Sequence, residues 1–148
     1  MPGSTTAAGS TLAISAGTPS AQTAAAFAAL AFTVIGGLDK IGPVPSATFA
    51  KVEFQPLVGG KDKLKGSADY GSMAPSAAYD DADAGQTLLR AAAADETQKL
   101  YSFKTTYPNG TVVYAQGRVF SAPDTIEGAD SVLMTNADIG ITTKPIKA

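Results

Sequence analysis

The 148-residue chain contains no histidine, no cysteine and no tryptophan. Without cysteine there are no disulfides and no thiolate metal sites, and redox compartment is not encoded. Without histidine the commonest general base and the commonest transition-metal ligand are both missing. Any serine nucleophile would need a lysine partner, and no motif of that kind is present. Neither G-x-x-x-x-G-K-[ST] nor G-x-G-x-x-G occurs, so no phosphate-cradling loop is encoded. Together these gaps exclude most catalytic chemistries and point to a non-enzymatic chain with no cofactor and no metal.

Long apolar runs are also scarce. The longest, Ala24 to Ile35 with Thr33 inside it, is too short to span a bilayer as a helix. No basic side chain precedes Lys40, so a secretory leader is not expected, and neither is a membrane anchor. Strong positive charge is absent as well: net charge is −2 and the pI is near 4.9. A protein built to grip nucleic acid needs many lysines and arginines; this surface suits DNA that passes without sticking.

What the chain does have is alanine, 28 residues of it, beside only six Phe and five Tyr. Buried alanine removes little apolar area from water, so the core of one copy is expected to be modest. Association with further copies is a natural source of additional stability. The length corresponds to a single domain over 1–148.

Local patterns give an order of elements. Residues 1–10 are small, polar and uncharged, and read as an extended N-terminal arm. Thr11 to Ser15 alternates as a short strand. A helix is expected from about Ala21 to Leu30, capped by Ser20 or Thr18, and a strand over Phe32–Ile35. Gly42, Pro43 and Pro45 mark 38–46 as an extended connection. Thr48 to Leu57 alternates clearly, with Thr48, Ala50, Val52 and Phe54 forming the more apolar face, which is expected to look inward. Val58 to Gly71, with four Gly and three Lys, reads as a long loop. Met73 to Tyr79 suggests an edge strand interrupted at Pro75.

Asp80 to Ala94 is the clearest helix. Asp81 or Asp83 can cap it, Leu88, Leu89 and Ala92 form its apolar stripe, and Gln86 and Arg90 are expected to face out. Leu100–Tyr107 and Thr111–Phe120 form a hairpin around Pro108-Asn109-Gly110, whose Asn and Gly accept the positive φ of a tight turn. A final strand is expected within Ser131–Ile141, and 142–148 reads as a loose C-terminal tail. Strands, one substantial helix and more strands indicate an α+β fold, mostly antiparallel β: a sandwich or barrel flanked by one main helix.

The acids Asp80, Asp81 and Asp83 start tolerably as a calcium loop, D-x-D-x-G from Asp81. Ala92 then stands where such a loop needs its bidentate glutamate, so helix capping accounts for them better. Charge is nevertheless uneven. Lys61, Lys63 and Lys65 face a single Asp62 within 58–67, whereas 69–96 carries six acids against Arg90 alone. A basic loop of one copy reaching an acidic surface of the next would generate rings or filaments.

The layout resembles the major tail tube proteins of long-tailed, non-contractile bacteriophages. The resemblance is carried by Gly9-Ser-Thr-Leu-Ala-Ile-Ser-Ala-Gly-Thr-Pro19, by Phe32-Thr33 with Ile35-Gly36, and by Lys65-Gly-Ser-Ala-Asp-Tyr-Gly71. Asp83-Ala-Gly-Gln86 with Leu88-Leu89, and the Tyr101–Phe120 hairpin, complete the order. The resemblance implies a virion subunit made in the host cytoplasm that forms six-membered rings. These stack into a hollow tube for double-stranded DNA and meet tape-measure and tail-tip or terminator proteins. It implies subunit contacts through the long loop of 58–71 (Val58, Lys61, Asp62, Lys63, Lys65, Tyr70), the N-terminal arm (Thr5, Ser10) and the C-terminal tail (Lys144, Ile146). Asp80, Asp81, Asp83 and Glu96 are candidates for an acidic surface or lumen. A capsid decoration or head–tail joining protein is the alternative. A small-ligand-binding β-domain is less favoured, since tryptophan, the usual sugar-stacking platform, is absent.

Overall fold

The structure is a computed structural model that describes residues 4–148. Its centre is the hairpin anticipated from the Asn-Gly turn. Strands β8 (Tyr101–Thr106) and β9 (Val112–Ser121) pair antiparallel from Tyr101 opposite Gly117 to Thr106 opposite Val112. Gly110 closes the turn at φ 92°, and Asn109 Oδ1 accepts from the Thr111 amide at 3.0 Å.

Around this hairpin a seven-stranded antiparallel sheet assembles. Strand β1 (Thr11–Ser15) lies along β8, and β2 (Thr33–Val34) lies along β1. On the other side β12 (Asp138–Ile141) pairs with β9, and β6 (Ser72–Met73) pairs with β12. Strand β13 (Ile146–Lys147) also joins β9, opposite Tyr114 and Val113. The C-terminal tail is therefore not loose: Ala148 donates to Val112 O at 2.7 Å and accepts from its amide.

Strand alternation gives this sheet two buried faces. Leu12, Ile14, Phe103, Ala115, Val119 and Ile139 belong to one core, which helix α2 (Ala84–Ala94) covers with Leu89 and Ala92. Across the sheet, Phe27 stacks on Tyr114 with ring centres 5.4 Å apart. Phe27 lies in α1 (Ala24–Ala28), which is shorter than anticipated. Its cap is Thr23, whose hydroxyl accepts from the Ala26 amide at 3.2 Å, so the preceding Ala21 and Gln22 stay outside the helix.

A four-stranded sheet contains β10 (Asp124–Thr125), β11 (Met134–Asn136), β7 (Ser76–Ala78) and β3 (Leu38–Lys40), in that order. The single strand expected within 131–141 is thus two strands, split between sheets at Ala137. The edge strand expected over 73–79 divides likewise at Ala74-Pro75. The two crossings meet, with Ala137 donating to Pro75 O at 3.0 Å. Proline has no amide hydrogen to offer a ladder, so it suits the step between sheets.

A third, two-stranded sheet pairs β4 (Thr48–Phe54) with β5 (Asp62–Asp69). This corrects two expectations. Most of 58–71 is strand rather than loop, because Lys63 and Lys65 alternate across β5 and find their registers opposite Glu53 and Lys51. The apolar face of β4 also does not look inward. Every residue from 48 to 69 is exposed except Pro56 and Gly66, which are half-buried.

Candidate functional site: an exposed amphipathic ribbon

The β4–β5 ribbon has two unlike faces. Val52 stands opposite Leu64 and Phe54 opposite Asp62, and the register shifts between Phe49 and Lys51, where Gly66 lies against Ala50. Lys51 opposes Lys65 and Glu53 opposes Lys63 on the reverse face, where the Lys65 ammonium also sits 4.8 Å above the Phe49 ring. Like charges directly opposite one another destabilise a strand pair. An isolated two-stranded hairpin is marginal in water even without that burden. Here Val52, Phe54 and Leu64 remain 49–56% exposed, and at the tip Val58 is 89% exposed and Leu57 entirely so.

Charge on the ribbon is mostly unspent. Among the described residues one ion pair forms within 4 Å, Lys61 to Glu53 at 3.4 Å, and both partners are about half exposed. Lys51, Lys63 and Lys65 therefore have no carboxylate partner within that distance. Tyr70, at the base of the ribbon, instead packs against the main core. Of the other candidate contact residues, Thr5 and Lys144 are exposed, while Ser10 and Ile146 are half-buried. Ser10 donates its amide to Ala7 O in a turn, and Ile146 is held in β13.

The anticipated acids divide by role. Asp83 caps α2: its carboxylate accepts from the Gln86 amide at 2.9 Å and from the Gly36 amide at 3.0 Å. Asp80, Asp81 and Glu96 are exposed. Asp80 accepts from the Ala82 amide, and Asp81 accepts from the Tyr79 hydroxyl at 3.3 Å. The Asp81 charge, with some burial and the nearby Asp124, raises the Tyr79 pKa against the opposing pull of Arg90. Asp124 belongs to a stretch, 119–143, with four acids (Asp124, Glu127, Asp130, Asp138) and no lysine or arginine. All four are exposed, as are Phe120, Ile126 and Val132 at 65–81%. By sequence Asp124 and Glu127 read only as solvated surface acids; what sets this second acidic stretch apart is its lack of any basic residue between Arg118 and Lys144.

Gln86, expected to face out, is completely buried. Its Nε2 donates to Ala78 O at 2.8 Å and to Gly36 O at 2.9 Å. Its Oε1 accepts from the Asp80 amide and from Arg90 Nη2. Loop backbone at the start of α2 needs those partners more than solvent needs the amide. At the far end of the helix, the Thr97 hydroxyl and amide hold the Asp95 pKa below the usual carboxylate value. Burial and the Asp95 hydrogen bond raise the Tyr101 pKa. Both are structural contacts rather than a poised acid–base pair.

Two open clefts adjoin across Val44 and Tyr107. The larger, about 610 Å³, is walled by Leu38, Ile41, Val44 and Tyr107 with Asp39 and Lys40; the smaller, about 280 Å³, by Pro145, Lys144 and Lys147. Their charged rim is mainly basic.

No family model matches the chain, and no curated protein matches it in sequence. Solved structures do match in fold. One is a chain of the anti-feeding prophage baseplate, six-fold symmetrised, with TM-score 0.69 and 9% identity over 100% of this chain and 97% of that one. Another is a chain of the sheath/tube terminator of an extracellular contractile injection system, PVC, in its extended state. It has TM-score 0.64 and 9% identity over 94% and 92% of the two chains. The second comes from a contractile system, whereas the sequence layout favours the non-contractile type. At such low identity the likeness is one of fold: this chain has the antiparallel α+β fold found in components of tail-like injection particles.

Proposed function

We propose that the chain is a structural subunit of a tail-type particle that assembles with copies of itself into rings, six to a ring, stacked as a hollow tube. The observation that carries this reading is the β4–β5 ribbon. It extends an amphipathic strand pair whose apolar face is left exposed by the rest of the described residues. Such a face is an interaction surface by default. The whole-chain likeness to components of a six-fold baseplate and of a tube terminator supports the same reading. Where the cargo is double-stranded DNA, a net-acidic subunit repels it and keeps it mobile. Tape-measure, tail-tip or terminator proteins are the natural further partners.

The terminator likeness favours one second reading, a ring that closes a tube without extending it. Negative-stain electron microscopy of the purified chain over a concentration series separates the two. Stacked hollow tubes are expected; single rings that never stack would select the terminator. A monomer at every concentration, with no seeding by tail-tip components, would exclude both.

A further inference from the structure

We infer that the ribbon docks on the 119–143 stretch of a second copy of this chain, which exposes Phe120, Ile126 and Val132 together with Asp124, Glu127 and Asp130. The inference rests on the self-assembly reading above and specifies which two surfaces meet.

Three observations select this pairing. The first is charge. The ribbon carries Lys51, Lys63 and Lys65 without carboxylate partners within 4 Å, and the 119–143 stretch carries four exposed acids and no base. The second is apolar area. Val52, Phe54 and Leu64 on the ribbon and Phe120, Ile126 and Val132 within 119–143 are all about half exposed or more. Being exposed together in one chain, the two patches do not cover each other within it. Lysine stems are long enough to reach past the edges of a ribbon one strand pair wide. An apolar centre with a charged rim is therefore attainable, as in ordinary protein interfaces. The third is exclusion. The other acidic stretch, 69–96, exposes no large hydrophobic side chain, and the clefts around Tyr107 are edged by Lys40, Lys144 and Lys147, which would repel a lysine-bearing ribbon. Because the two surfaces differ, the contact is head-to-tail and propagates into closed rings or stacks.

The test is a charge exchange in the full chain, read by sedimentation velocity at low salt. E127K/D130K and K63E/K65E should each weaken self-association about tenfold or more, and the four substitutions combined should recover it to within about threefold. Raising salt should weaken the wild type and leave the single-surface variants less affected. Since the chain has no cysteine of its own, mixing Val52→Cys with Ile126→Cys under oxidation reports the apolar contact as a covalent dimer. Reversals without effect, a combination no better than either pair, or no covalent dimer would overturn the pairing while leaving self-assembly intact. A wild type that never associates would instead remove the self-assembly reading itself.

Discussion

The β8–β9 hairpin and the β4–β5 ribbon are built alike and end in opposite environments. Both are antiparallel pairs with alternating side chains and a glycine-containing turn. In the first, Phe103 lies at 1% exposure under α2, with Ile14 and Ala115 beside it. In the second, Val52 and Leu64 face each other and are each 49% exposed. Alternation shows which face of a strand is apolar. It does not show whether the surface that covers that face belongs to the same molecule.

The contrast can be broken at three levels. Phe103→Ala should have the largest effect, lowering unfolding free energy by about 3–5 kcal/mol through lost burial and a residual cavity, as measured by urea denaturation. Gln86→Ala should follow, at about 2–3 kcal/mol, because it leaves the Gly36 and Ala78 carbonyls and the Asp80 amide without their partner. Phe54→Ser with Leu64→Ser should change the stability of the dilute chain by no more than about 0.5 kcal/mol. The same double substitution should abolish association, which sharpens the contrast: equally apolar positions, one set serving the fold and the other the assembly. A large loss of monomer stability in that variant would mean the ribbon is covered within its own chain.

The parts of the fold that were legible in the sequence are those determined locally. The Tyr101–Phe120 hairpin follows from Asn109-Gly110 between alternating runs, and α2 follows from Asp83 ahead of an alanine- and leucine-rich stretch. Long-range decisions were not legible. Nothing near Ala137 or Pro75 announces that the chain changes sheets there; the step is set by pairing with distant β9 and β11. Gln86 reads as a surface residue on a helical wheel, since its four hydrogen-bond partners are gathered only on folding. The first strand of the ribbon is legible in the alternation from Thr48, whereas β5 reads as loop because glycine and lysine are poor strand formers and its strand character emerges only through register with β4. Likewise Ile146 and Lys147 become a strand only because β9 is long enough to receive them. Of the candidate site, the basic half was visible as three alternating lysines. The acids Asp124, Glu127 and Asp130 were not, because they are spread thinly along the chain and form no local motif.

The position of Gln86 bears on how the molecule comes apart. Gly36 follows β2 of the large sheet, and Ala78 ends β7 of the small one. One carboxamide therefore holds both sheets to the first turn of the helix. Opening either sheet at that end would strand a hydrogen-bonding group of the other away from water. Fraying of one layer is thereby penalised by its neighbour, which couples the two sheets at this end of the molecule. The exposed β4–β5 ribbon takes no part in that coupling.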